Sequence, residues 1–290
     1  MANIRAIRNR IKSIESTRQI TRTMRMVAAA KLTKTQRSFG ALREYVSASR
    51  GMLERLGGAG RAGEPLLRPH ETDGRLVFVL IVGNRGLCGA YNMALLKALS
   101  ELAAAEREMP DGAEKEISLV VCGRWGREQI AALRFPVLRV FPVSDVPETQ
   151  EAGELSAYLQ ELYLSGKADR IVLVHQSFRS VLQQLPVART LLPLELPEGG
   201  AAAEVIYEPD AASLLHVLLE QTLLGGVQAA LLEARAAEHA ARMTAMAAAS
   251  DNTDELIAEL SLKLNHARQA AITTEIAEIS GGAAALERKD

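Results

Sequence analysis

The chain has 290 residues, of which 48% are hydrophobic but only 4% are aromatic, and its formal net charge is −1. Alanine takes the place of the large aromatic side chains that usually fill a core. Because alanine is the strongest helix former, the composition favours extended helix. Cys88 and Cys122 are the only cysteines, which excludes a disulfide framework and indicates a reducing compartment. No unbroken apolar run approaches the roughly 18 residues that cross a bilayer, and the N-terminus lacks the apolar core of a secretory signal.

The charge is unevenly distributed along the chain. Residues 1–50 contain twelve basic and two acidic side chains, a net charge of +10, which leaves −11 for the rest. This basic arm predicts an acidic partner: nucleic acid, an anionic membrane, or an acidic protein surface.

Proline placement predicts a long helix at each end of the chain. All ten prolines lie between Pro65 and Pro209, and an interior proline costs a helix about 3 kcal/mol. We expect an N-terminal coiled-coil helix over residues 1–57, ended by the glycine-rich residues 57–60. Its apolar positions start with the 3-4-3 spacing of a coiled coil, slip at Thr17 and then resume. They are Ile4, Ile7, Ile11, Ile14, Ile20, Met24, Val27, Phe39, Leu42, Val46, Leu53 and Leu56.

The second predicted helix covers residues 210–286, with Asp210 as its N-cap. It is rich in alanine and leucine as far as Gly281 and Gly282. The natural cover for its apolar stripe is the N-terminal helix running antiparallel. Gly225 and Gly226 weaken the expectation of one unbroken helix, because glycine costs about 1 kcal/mol relative to alanine. Residues 250–255 (SDNTDE) also have the pattern of a helix stop and restart.

The middle of the chain, residues 75–195, alternates between strand and helix patterns. This alternation predicts an inserted α/β domain with a mainly parallel sheet. Residues 181–192 are expected to add an edge strand, because Pro186 is tolerable only at an edge. The predicted strands are Leu76–Val82, Ile117–Cys122, Val137–Phe141 and Ile171–Val174, and the predicted helices are Tyr91–Arg107, Trp125–Leu133 and Glu151–Leu164.

Residues 83–89 (GNRGLCG) follow the first strand, where a Rossmann fold binds a dinucleotide. The spacing is G-x-x-G-x-x-G and not G-x-G-x-x-G, no P-loop lysine follows, and the second strand ends without a carboxylate for a ribose. We interpret the segment as a structural turn, with a dinucleotide-dependent enzyme as the alternative. The five histidines are scattered, and no nucleophile is paired with a base. The sequence therefore predicts no catalytic residue, metal site or cofactor.

The basic arm leaves two interpretations open. A nucleic-acid-binding coiled coil usually carries aromatic residues or a groove-fitting motif, and the first aromatic residue here is Phe39. Binding to an acidic protein requires only the charge.

Motifs at both ends resemble one family. Residues 20–31 (ITRTMRMVAAAK) look like the N-terminal helix motif of the gamma subunit of F-type rotary ATP synthases, and residues 267–279 (ARQAAITTEIAEI) look like its C-terminal signature. Residues 241–246, 207–210 and 85–89 also match. The resemblance covers the whole chain, and it implies a long antiparallel coiled coil of N- and C-terminal helices with an inserted Rossmann-like α/β domain.

The resemblance also implies a function. The chain is expected to be a non-catalytic central-stalk rotor, which couples proton flow through a membrane ring to ATP synthesis in a catalytic hexamer. The implied partners are the alpha and beta subunits of the hexamer, the epsilon subunit and the membrane c-ring, with no nucleic acid and no small-molecule substrate. The implied location is the cytoplasmic side of a bacterial cell membrane. The implied stator contacts are Met24, Arg268, Gln269, Thr273 and Glu275, and the implied foot on the membrane ring is Tyr207 and Glu208.

Overall fold

The structure, a computed structural model, describes residues 2–56, 63–108, 115–195, 208 and 210–287. The chain divides into two compact units. One contains Met1–Val27 and Met243–Asp290, and the other contains Ala28–Arg242. The domain ranges expected from the sequence, 1–57, 75–195 and 210–286, divide the chain by element and not by compactness, and they stay a prediction.

A long helix stands at each end of the described chain. Helix α1 is Ala2–Leu56, with 55 residues, and helix α5 is Ala211–Glu287, with 77 residues. Asp210 caps α5 as expected, because its carboxylate accepts hydrogen bonds from the Ser213 amide (2.9 Å) and the Ser213 hydroxyl (2.8 Å). These bonds lower the pKa of Asp210.

Helix α5 is continuous, so the stop-and-restart pattern of residues 250–255 does not interrupt it. Ser250 and Thr253 are buried, and the Thr253 hydroxyl donates to the Ser250 carbonyl at 2.7 Å, so these polar side chains bond within the helix and do not end it. Gly225 is also helical. A Cβ there would lie 3.0 Å from Val46 Cγ2 of α1, so the close approach of the two helices accounts for the glycine.

One stretch of α5, Ala211–Gly281, is long and apolar enough to cross a membrane by length and composition, with a mean hydropathy of 1.3 in its 18-residue window. The expectation from unbroken apolar runs is therefore wrong on this criterion. Within the window, 44% of the helix is buried inside the protein, and Leu219, Leu223 and Val227 belong to its hydrophobic core.

The middle of the chain forms a five-stranded sheet with the order β3-β2-β1-β4-β5. The first four strands are parallel, and β5 pairs antiparallel with β4 at the edge, with Pro186 in β5 as expected. The elements are β1 (Arg75–Ile81), α2 (Tyr91–Arg107), β2 (Glu116–Cys122), α3 (Arg127–Ala131), β3 (Val137–Phe141), α4 (Thr149–Leu164), β4 (Arg170–Phe178) and β5 (Gln184–Leu192).

Each face of the sheet has its own core. Because side chains alternate along a strand, Val77 and Val79 of β1 face a cluster that includes residues of α4 and α5. Leu76 and Phe78 face a second cluster that includes residues of α2 and α3. The central strands β2, β1 and β4 are therefore buried on both sides, as in other parallel sheets.

The apolar stripe expected on α1 is wrong in phase at Ile20 and Val27, whereas its later members Leu53 and Leu56 are buried as expected. Ile20 and Val27 are exposed by 59% and 48%, whereas Thr21, Ala28 and Thr35 are buried. The 3-4 spacing of the first isoleucines continues to these small residues. The hydroxyl groups of Thr21 and Thr35 donate to carbonyls of their own helix at 2.9 Å, which allows them to be buried.

Candidate functional site

The turn after β1, where a Rossmann fold would hold a dinucleotide, is occupied by side chains of α5. Arg235 donates to the carbonyls of Val82 and Val143 at 3.3 Å, and Arg242 donates to the carbonyls of Arg85 and Gly86 at 3.3 and 3.4 Å. The turn carbonyls thus have acceptor roles within the chain, which agrees with a structural turn.

Glu238 links the two arginines. Its carboxylate pairs with Arg235 and with Arg242, and a Cβ at Gly83 would lie 3.1 Å from it. Burial by itself raises the pKa of Glu238, but the charges of Arg235 and Arg242 outweigh burial and lower it. Charged residues are rarely fully buried unless they are paired, and the sequence alone does not reveal this pairing. The network was therefore not predicted from the sequence.

The outer surface of the same turn is exposed and basic. Leu87 has a positive φ of 61° and is 62% exposed, and Arg85, Arg124 and Arg127 are exposed. The Trp125 amide donates to the Gly83 carbonyl at 3.0 Å, so the turns after β1 and β2 lie together. A left-handed leucine is strained, and this one lies on an exposed basic surface. The sequence analysis missed this surface.

The unit formed by residues 1–27 and 243–290 is joined by ion pairs between α1 and α5. Asp254 pairs with Arg18 at 2.8 Å and with Arg22 at 2.9 Å, and Arg22 also donates to the Ser250 hydroxyl at 3.4 Å. Residues with higher numbers on α1 contact residues with lower numbers on α5, so the two helices are antiparallel in this unit. The bond from Arg18 lowers the pKa of Asp254.

Several large apolar side chains of this unit are exposed. On α5, Ile272, Ile276 and Ile279 are 47%, 59% and 73% exposed, and their spacing places them on one face. On α1, Ile20 and Met26 are 59% and 61% exposed. These residues form two separate exposed groups, because Arg18 of α1 pairs with Asp254, well before Ile272 along α5.

Cations accompany these apolar residues. Only four of the twelve basic residues of the arm, Arg18, Arg22, Lys31 and Arg50, form ion pairs within the described ranges. The exposed cations without an ion pair there are Arg5, Arg8, Arg10, Lys12, Arg25, Lys34, Arg37 and Arg43. Five of these eight cations, Arg5, Arg8, Arg10, Lys12 and Arg25, belong to the same unit as the exposed apolar residues.

Comparison with known proteins identifies the family. The family profile described as ATP synthase matches residues 3–286. The chain is 39% identical to the ATP synthase gamma chain of Desulfitobacterium hafniense, with 99% of this chain and 100% of that protein covered. It is 40% identical to the gamma chain of Moorella thermoacetica, with the same coverage.

The chain belongs to the ATP synthase gamma chain family.

Solved structures share the gamma chain fold. A chain of the Euglena gracilis mitochondrial ATP synthase, in a structure of OSCP, F1 and the c-ring, matches with a TM-score of 0.68 at 20% identity, with 98% of this chain and 95% of that chain covered. A chain of the central stalk and c-ring of the Tetrahymena thermophila enzyme matches with a TM-score of 0.62 at 22% identity, with 80% and 99% covered.

The positions expected to contact the stator are placed as follows. Arg268, Gln269, Thr273 and Glu275 are all exposed on α5, and Met24 is half-buried on α1. The Thr273 hydroxyl donates to the Gln269 carbonyl at 2.9 Å. An α-helix has about 3.6 residues per turn. Viewed down the axis of α5, the exposed isoleucines therefore lie between two pairs of expected contact residues. One pair is Gln269 and Thr273, and the other is Arg268 and Glu275.

The two foot positions differ in what the structure describes. Glu208 is exposed, whereas Tyr207 lies outside the described residues. Among the described residues, no group of three or more histidine, cysteine, aspartate or glutamate side chains could hold a metal ion.

Proposed function

We propose that this chain is the central-stalk rotor of an F-type ATP synthase, and that it couples proton flow through a membrane ring to ATP synthesis in a catalytic hexamer. The observation that carries the proposal is the match to gamma chains over almost the whole length of both proteins. Rotation of an asymmetric shaft would move each catalytic site through its conformations in turn, so catalysis belongs to the hexamer and not to this chain.

The two long helices support the shaft role. Ion pairs join them in antiparallel orientation in one unit, and in the other Tyr45 donates to Gln221 at 3.2 Å. We propose that residues 1–57 and 210–286 form an antiparallel coiled coil, and that residues 75–195 form the inserted domain. The alternating three- and four-residue spacing of the buried positions on α1 is typical of a coiled-coil seam.

The partners follow from the exposed groups. The isoleucine stripe of α5 suits an apolar sleeve, and the cations of α1 suit acidic loops of the alpha and beta subunits. Met24, Arg268, Gln269, Thr273 and Glu275 are the proposed contacts with that stator. Tyr207 and Glu208 are the proposed foot on the c-ring, and the epsilon subunit completes the stalk. The complex would lie peripherally on the cytoplasmic side of the bacterial cell membrane.

Reconstitution tests the proposal. The chain is mixed with the alpha and beta subunits, and assembly is measured by native gel and rotation by a bead fixed to the chain. We expect assembly and ATP-driven rotation, and we expect salt and the joint change of Arg5, Arg8 and Arg10 to glutamine to weaken assembly, because exposed charges are screened. DNA binding with a steep salt slope, without assembly, would support the nucleic-acid alternative.

A further inference from the structure

Three charged side chains of α5 form a cluster where this helix meets the loops at the carboxyl ends of the strands. The spacing of Arg235, Glu238 and Arg242 places them on one helix face. Arg235 and Glu238 are each 1% exposed, and the side chain of Arg242 is 12% exposed. We call these three residues the α5 clamp.

The clamp binds backbone, and it binds two loops at once. Arg235 reaches the carbonyls of Val82, after β1, and Val143, after β3. It also donates to the Asn84 side-chain oxygen at 3.3 Å, while the Asn84 amide donates to the Val143 carbonyl at 2.6 Å. The fixed fork of a guanidinium group accepts few orientations of such acceptors, so these contacts fix the angle of α5 about its own axis.

Stability alone does not account for the clamp. Replacing a buried ionic cluster by apolar residues of similar volume is often neutral or stabilising, and α5 already buries Leu219, Leu223 and Val227 in the core. Apolar contacts are non-directional, so they hold a helix against a sheet but resist its rotation weakly. Hydrogen bonds to fixed carbonyls resist rotation because they depend on angle.

We propose that the α5 clamp is a torsional lock. It fixes the angle between α5 and the sheet domain, so that the sheet domain turns together with the helix. The inference rests on the proposed rotor function, because a helix that carries torque needs its angle fixed relative to the domain that it turns. The clamp residues are positioning residues that act through the turn after β1.

The test measures torsional stiffness in the assembled complex. The hexamer is fixed to a surface, and a bead is attached to a cysteine introduced by Lys97→Cys on the exposed side of α2. The angular variance of the bead during catalytic pauses is compared between the wild-type chain and the Arg235→Met and Arg242→Gln variants. We expect each variant to assemble and to increase the variance at least two-fold, with Arg235→Met melting below the wild-type temperature because it leaves the buried Glu238 with Arg242 as its remaining partner.

Leu219→Ala is the matched control, because it removes an apolar contact of the same helix. It should lower the melting temperature and leave the angular variance unchanged. Equal variance in the wild type and both clamp variants, or an equal increase in Leu219→Ala, would overturn the lock. If Arg235→Met does not fold, Arg242→Gln at the rim of the cluster decides.

A second measurement separates the lock from the rotor proposal. A wild-type chain that neither assembles nor rotates contradicts the rotor function. The lock is then tested in the isolated chain by hydrogen exchange of the amides of residues 85–89. We expect at least five-fold faster exchange in Arg242→Gln and unchanged exchange in Leu219→Ala, and unchanged exchange in both overturns the lock.

Discussion

At the scale of single residues, the described chain pairs its buried charges closely. Glu233 of α5 accepts hydrogen bonds from the Ser177 hydroxyl at 2.5 Å and the Phe178 amide at 3.2 Å, and it lies 3.2 Å from His175 Nε2. Burial by itself raises the pKa of Glu233, but the bonds from His175 and Ser177 outweigh burial and lower it to about 2. The ionised carboxylate is therefore favoured by folding.

This lowered pKa predicts a loss of stability in acid. A carboxyl group with a lowered folded pKa contributes fully above its unfolded pKa of about 4.5 and loses that contribution as the pH falls toward about 2. We expect Glu233→Gln to be less stable than the wild type at pH 7, by on the order of 3 kcal/mol, and the two to converge between about pH 4.5 and 2. Melting temperature against pH measures this difference.

The control for this prediction is a surface carboxylate. Within the described part of the chain Glu259 pairs only with Lys263, one turn away on α5, so Glu259→Gln should follow the wild type across the same pH range. A constant gap between the wild type and Glu233→Gln down to pH 2 would contradict the role given to Glu233.

At the scale of elements, one glycine records how closely α1 and α5 pack. We expect Gly225→Ala to lower the melting temperature although alanine favours helix, because its Cβ would lie 3.0 Å from Val46 Cγ2. Gly40→Ala on α1 is the matched control. Nothing lies within 4 Å of its added Cβ, so that change should stabilise by about 0.5–1 kcal/mol.

A double-mutant cycle checks the cause. Val46→Ala should remove most of the penalty of Gly225→Ala, because the two sites are in contact. Additive effects of the two changes would show that the close approach does not explain Gly225.

The predictability of each element follows from what its residues contact. Proline placement and strand alternation predicted both long helices and the sheet, because those signals are local. The exposed Ile20 and Val27 misled the seam prediction, since an exposed apolar residue and a buried one look alike in a sequence pattern. Ser250 and Thr253 have the sequence pattern of a helix stop. Their burial depends on α1, which a local pattern does not include. Among the site positions, Arg268 and Thr273 came from the family motif, and their exposure does not test the contact.

At the scale of the whole molecule, a rotor must move past several equivalent stator subunits, so no single contact between rotor and stator should be strong. Exposed charged contacts are worth about 0–1 kcal/mol each. We expect Arg268→Ala or Thr273→Ala alone to lower turnover without preventing assembly, and joint alanine changes at Arg268, Gln269, Thr273 and Glu275 to be far more damaging. ATP-driven proton pumping in membrane vesicles and native gels measure the two effects.

The joint change of Lys97 and Glu101 to alanine, on α2, is the control and should leave pumping unchanged. Dissociation of the complex by one alanine, or intact pumping with all four changed, would show that this surface is not the drive contact.

The foot proposal predicts a different pattern of loss. Glu208→Lys should impair proton-coupled ATP synthesis more than ATP hydrolysis by the detached complex, because only synthesis requires the contact with the membrane ring. Glu101→Lys, on α2, should leave both activities unchanged. Equal loss of synthesis and hydrolysis in Glu208→Lys would contradict a foot role.

The pairing of Arg18 with Asp254 has a consequence for biosynthesis. The two residues are 236 positions apart, and a ribosome adds about 5–20 residues per second, so the first helix waits roughly 10–50 seconds before its partner leaves the exit tunnel. During that time its isoleucine seam has no cover from the C-terminal helix. We therefore expect the nascent N-terminal helix to be accessible to chaperones, and a message with slow codons near its end would prolong that exposure.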